Sequence, residues 1–168
     1  MSASAPEFSR PVPLKRIGSR PLRQKIAASE AERAALAKRF SLVSLDRLEA
    51  AVELAHESGG TVLLTAEFFA EFAQECVVSL EPVAGSVQAS FTLRYGPPEA
   101  EPETESEDDP AFEPLTGEAI DIGEAVAQEF SLSLPPFPRA PGAVIEDAPP
   151  ELEGEGPFAA LTARKPGD

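Results

Sequence analysis

At 168 residues the chain suits one domain and is short for two. Hydrophobic residues make up 42%, enough for a core once Pro-rich ends are set aside, and 18 prolines are about twice the usual share. A net charge of −15 opposes long-range attraction to nucleic acid, a single cysteine excludes an internal disulfide, and no apolar run is long enough to span a bilayer. With no signal-type start either, the reducing cytoplasm is the expected compartment and no membrane association is expected.

The charge is unevenly spread. Residues 1–47 hold 10 Lys/Arg against 4 Asp/Glu, a net +6, whereas residues 48–168 hold 4 against 25, a net −21. Screening confines repulsion to about 10 Å, so a basic N-terminal arm can still meet phosphate inside an acidic protein.

Residues 1–7 are expected to be disordered. From Phe8 to Leu14, apolar residues alternate with Ser, Arg and Pro, as suits an edge strand. Arg10, Lys15, Arg16, Arg20, Arg23 and Lys25 make this region basic. They read either as phosphate ligands for RNA or as an ordinary solvated arm whose Phe8, Val12 and Leu14 dock on a sheet. Residues 29–40 predict a helix: Ser29 and Glu32 have capping-box spacing, and Arg33, Lys38 and Arg39 suit its negative end.

Residues 46–57 have helical propensity, but Leu48, Ala50, Val52 and Leu54 alternate as in a strand, and Gly59-Gly60 marks a hairpin turn. The partner run continues the period through Val62, Leu64, Ala66, Phe68, Ala70 and Phe72. The stretch 75–95 reads as two strands around a Pro-Gly-containing bend, with Cys76, Val78 and Leu80 on one and Val87, Ala89, Phe91, Leu93 and Tyr95 on the other. Most aromatics fall on inward parities, so a base-stacking platform is not expected; only Arg94 and Tyr95 approach one.

Residues 97–114 are low in complexity, with seven acids and no base between Glu99 and Asp109, and predict a disordered insert. Residues 118–134 hold the strongest helix. Asp121 caps it, Ile122, Ala125, Val126 and Phe130 form an apolar stripe to cover the sheet, and Pro135-Pro136 stops it. Residues 136–168 form a Pro/Gly/acidic tail with a short helical turn at 157–165, either docked or a peptide motif for a partner. The fold class expected is α+β: an antiparallel sheet of about four to six strands packed against one main helix, with an extra N-terminal helix and disordered acidic linkers, all within one domain at 8–135.

No catalytic residue, metal site or cofactor is expected. One Cys and one His cannot assemble a thiolate or imidazole cluster, the 11 glycines form no phosphate-binding loop, and the acids lie in solvated settings that keep their acidity ordinary.

The run ECVVSLEPV, the strand ending FTLRYG, the acidic gap, EAIDIGEAVAQEFSLSLPPFP and the end PFAALTARK together resemble the YceD-like family of large ribosomal RNA subunit accumulation proteins, in the form common to alphaproteobacterial members. Many relatives carry C-x-R-C-L at the central run and a cysteine pair after the helix, suggesting a metal site. Here Val78 and Ser79 stand where Arg and the second Cys would be, and no Cys follows the helix, so that site is not carried over. The resemblance implies a non-enzymatic factor in rRNA processing or early large-subunit assembly, with rRNA and ribosomal or processing proteins as partners. The alternative is a protein adaptor that never contacts RNA.

Overall fold

The computed structural model describes residues 6–101, 109–115 and 117–144. Seven strands and two α-helices follow in the order β1 (Pro11–Pro13), β2 (Leu22–Ala27), α1 (Glu30–Arg39), β3 (Ser44–His56), β4 (Val62–Glu75), β5 (Pro82–Gly96), β6 (Ala111–Pro114), β7 (Ala119–Asp121) and α2 (Ile122–Leu132). The strands form a five-stranded sheet, ordered β2-β3-β4-β5-β6, and a separate two-stranded ribbon of β1 with β7.

The expected single antiparallel sheet of four to six strands against one main helix is therefore corrected. The molecule is mostly β, its larger sheet is mixed because β6 runs parallel to β5, and two helices and a ribbon share the covering role. The physical reason is length. The central strands reach 13 to 15 residues, and one 11-residue helix cannot cover so wide an apolar face.

The three long strands form because their apolar residues keep a period of two. Leu48, Ala50, Val52 and Leu54 of β3 and Val62, Leu64, Ala66, Phe68, Ala70 and Phe72 of β4 are all buried on one face. A bulge between Leu45 and Arg47 turns Leu45 inward as well, despite its odd parity with Leu48. Gly59 and Gly60, with φ of 80° and 77°, make the β3–β4 turn that a side chain would strain. Helical propensity in 46–57 loses to this pairing, since β3 gains two neighbouring strands at once.

The expected strand through Cys76, Val78 and Leu80 is instead a turn. β4 continues to Glu75, and the Cys76 N–H donates to the Glu81 carbonyl at 2.8 Å. Leu80 takes a φ of 62°, which closes the turn, and Pro82 and Gly85 lie inside β5 rather than at a bend. The acidic gap, expected to lack structure, contributes β6, in which Phe112 pairs beside Arg94. Its 102–108 portion lies outside the described residues, as do the terminal segments 1–5 and 145–168, including the turn expected at 157–165.

Helix α1 starts at the Ser29 capping box: the Ser29 N–H donates to Glu32 at 2.8 Å and the Glu32 N–H to Ser29 Oγ at 3.4 Å. Helix α2 places Ile122, Ala125, Val126 and Phe130 on the sheet. The Phe130 ring meets Phe40, Phe68 and Phe72 at centroid distances of 5.9, 6.4 and 5.7 Å, all edge-on, so one side chain joins both helices to β4. Gly123 lies so close to the N-terminal segment that a Cβ there would stand 2.3 Å from the Phe8 carbonyl oxygen.

Candidate nucleic-acid interface

The six basic residues predicted to meet RNA divide into two groups. Arg10 is an internal strut. Its guanidinium holds Glu32 through two bonds of 2.6 and 2.9 Å, donates to the carbonyls of Ser9 and Ala27, and lies 4.7 Å from the centre of the Phe8 ring. Arg23 projects from β2 and pairs with Glu53 of β3 at 2.5 Å. Its partner lies directly opposite in the strand register, which explains the pairing.

The other four are exposed and take part in no ion pair among the described residues. Lys15 and Arg16 sit on a single 3-10 turn at Leu14–Arg16, Arg20 lies in the following loop, and Lys25 extends from β2. The turn is anchored on both sides. The Leu14 N–H donates to the Glu118 carbonyl at 2.9 Å, and His56 Nε2 lies 3.0 Å from the Ile17 carbonyl, which fixes the arm against the β3–β4 turn. Three of the four cations thus lie on the segment between the ribbon and β2, and Lys25 lies on β2, the outermost strand of the sheet.

The uncovered face of the sheet has another character. Glu49 and Glu53 of β3 and Glu67 and Glu71 of β4 project from it, around a shallow groove floored by Ala51 and Phe69. Arg47 stacks over Phe69 at 5.1 Å and pairs with Glu49 at 2.6 Å, while Gln88 donates to Glu67 at 2.7 Å. Phosphate approaching the middle of this face meets carboxylates, so only the β2 rim, where Lys25 stands, favours an anion.

The Arg94–Tyr95 pair forms no stacking platform: Arg94 holds Glu57 at 2.8 Å, and Tyr95 packs against the core, where burial pushes its hydroxyl well above the usual range. Glu129, on α2, is raised from the ordinary carboxyl value, first by burial and then by the charge of Glu113.

Cys76 is fully buried, as its small apolar side chain suggested, but it sits in a turn and not on a strand. Its sulfur faces the N–H groups of Val78 and Ser79, each at 3.4 Å, and of Ala140 at 3.2 Å. The Ser79 hydroxyl first, and then the N–H groups of Ser79 and Ala140, lower the thiol to about 6; burial works in the opposite direction. The contact with Ala140 was not legible from spacing, because it joins residues 64 apart. No group of three or more His, Cys, Asp or Glu among the described residues could hold a metal ion. No described helix is long and apolar enough to cross a membrane.

Neither a curated protein nor a solved structure matches the chain. A family model, described as large ribosomal RNA subunit accumulation protein YceD, matches residues 64–160, which is more than half of the sequence and runs from β4 through α2 into the tail. The chain belongs to the YceD family of large ribosomal RNA subunit accumulation proteins.

Proposed function

We propose that this protein supports large-subunit rRNA accumulation as a non-enzymatic binding factor, touching rRNA phosphates through Lys15, Arg16, Arg20 and Lys25. The observation that carries this reading is that these four cations are exposed and, among the described residues, unpaired, in a protein from a family named for rRNA accumulation. Arg10 and Arg23 belong to the same basic arm, but carboxylates already occupy them. They set the position of the arm and add little to phosphate binding.

Cations beside an acidic face give weak, oriented binding. RNA is held at the rim and turned away from the sheet, which suits a factor that must later release its particle. The domain runs from 8 to 135; its acidic insert at 97–114 joins the sheet through β6, and the tail from 136 is held at Pro138 and Ala140 by the turn after β4. One histidine and no phosphate-binding glycine loop support a role without catalysis, in the cytoplasm where ribosomes form.

Sucrose-gradient profiles of ribosomal particles from cells lacking the protein test this role. The expected result is a shortage of large subunits relative to small ones, restored by the wild-type chain and poorly by a chain in which the four cations are Gln. A normal profile in the absence of the protein would remove the reading.

A further inference from the structure

Six large apolar side chains are exposed among the described residues: Val43, Val77, Leu80, Leu132, Phe137 and Val144. Scattered singly, such residues need no explanation, but the first five gather at one end of the fold. Val77 and Leu80 lie in the turn between β4 and β5, and the Val43 N–H donates to the Ala73 carbonyl of β4 at 2.8 Å. Leu132 ends α2, and Phe137 follows in a segment laid along the same turn. Three bonds hold that segment: Gln74 Nε2 donates to the Pro135 carbonyl at 3.1 Å, the Val77 N–H to the Pro138 carbonyl at 2.9 Å, and the Ala140 N–H to Cys76 Sγ at 3.2 Å.

The fold gains little from these side chains. Val77, Leu80 and Phe137 are 49%, 67% and 74% exposed. Leu80 also holds a φ of 62°, a left-handed conformation that glycine adopts with less strain. We propose that this end of the molecule, centred on Val77, Leu80 and Phe137, docks a segment of a basic protein in which apolar side chains are flanked by lysine or arginine.

Charge selects that partner. Glu71 and Glu75 lie at the end of β4 and Glu81 just before β5; all three are exposed and take part in no ion pair among the described residues. The last turn of α2 adds the negative end of the helix with no basic side chain to offset it. The β4–β5 turn and the segment at 133–144 together carry one base, Arg139. Such a rim turns RNA phosphate away. It also disfavours a second copy, since a two-fold contact would set each carboxylate rim against itself. The three bonds keep the surface in place before the partner arrives, which lowers the cost of ordering it. None of the four cations assigned to RNA belongs to this surface, and the docking does not depend on RNA binding.

Site-specific photocrosslinking in cells tests it, with a photoreactive amino acid in place of Leu80 or Phe137 in the full chain. Ser58, in the β3–β4 turn at the other end of β4, serves as the control position. Both test positions should link to the same protein, one in which Lys and Arg outnumber Asp and Glu, and Ser58 should not. The link should persist in a chain whose Lys15, Arg16, Arg20 and Lys25 are Gln, which separates this surface from the RNA contact. That protein, purified free of RNA, should bind the wild-type chain about tenfold more tightly than a Glu75→Gln/Val77→Ser/Glu81→Gln variant. The three replaced side chains are exposed, so the variant should keep the wild-type denaturation midpoint. Links to RNA, to a second copy, to residues beyond 144 of the same chain or to an acidic protein would overturn the proposal. So would equal linking at Ser58, no link at all, or equal affinity of the two chains.

Discussion

Asp121 accepts four hydrogen bonds: from the N–H groups of Gly123 and Glu124 at 3.1 Å, from the Arg10 N–H at 2.7 Å and from the Ser9 hydroxyl at 2.5 Å. One carboxylate thus caps α2 and ties it to the N-terminal segment, at the point where Gly123 admits that segment's backbone. Glu124, three residues after Asp121, stands at the position that would complete a capping box, but its carboxylate takes the Arg39 guanidinium at 2.8 and 2.9 Å. Arg10 and Glu32 form the second such tie. The Arg10 guanidinium, and then the Ser29 N–H and hydroxyl, hold the Glu32 carboxyl at about 2, below its ordinary 4.5. A carboxyl that ionises more readily when folded stabilises the fold above its ordinary value, and that stabilisation is lost as pH falls through the folded value. Wild type should therefore lose stability between about pH 4.5 and 2, and Glu32→Gln should flatten that part of the curve. With side chains 34% and 22% exposed, the pair is partly screened, and the variant should be about 1 kcal/mol less stable at pH 7. Denaturant melts across this range check it; superimposable acid limbs would deny the tie.

At the scale of elements, β3, β4 and α2 were legible because each carries a long, unbroken period that only one burial pattern satisfies. β2 and β6 were not. In β2 the alternation of Leu22, Gln24 and Ile26 is short and interleaved with Arg23 and Lys25, so charge obscured the strand. In β6 a single Phe112 stands among acids and prolines, and its parallel pairing with β5 comes from tertiary contact that no local pattern encodes. The turn at Cys76 misled for the opposite reason: its apolar residues keep strand parity, while the left-handed Leu80 breaks the strand. Candidate site residues could be placed by sequence, but their occupancy could not, since Arg10 and Glu32 are 22 residues apart and Arg23 and Glu53 are 30 apart. The α2 stripe allows a direct test. Phe130 is fully buried between the helices and β4, so Phe130→Ala should cost about 3–5 kcal/mol in denaturant unfolding. Leu132, on the same helix but 78% exposed, should tolerate alanine with little change. Equal losses at the two positions would mean that α2 is docked on another face.

For the molecule as a whole, the division of charge counts for more than its total. The sheet face beside Lys25 of β2 is acidic, so the proposed attraction to RNA would be local and sensitive to ionic strength. Each phosphate neutralised by a cation adds about 0.7–0.9 to the slope of log affinity against log salt. The most direct measurement is therefore binding of a large-subunit rRNA fragment across a salt series, for wild type and for a chain with Lys15, Arg16, Arg20 and Lys25 all changed to Gln. The expected result is a steep wild-type slope that falls by about 3 in the variant, with unfolding stability preserved. A slope that does not change, or wild-type protein that binds no RNA at low salt, would contradict the assignment of these four cations as the RNA contact.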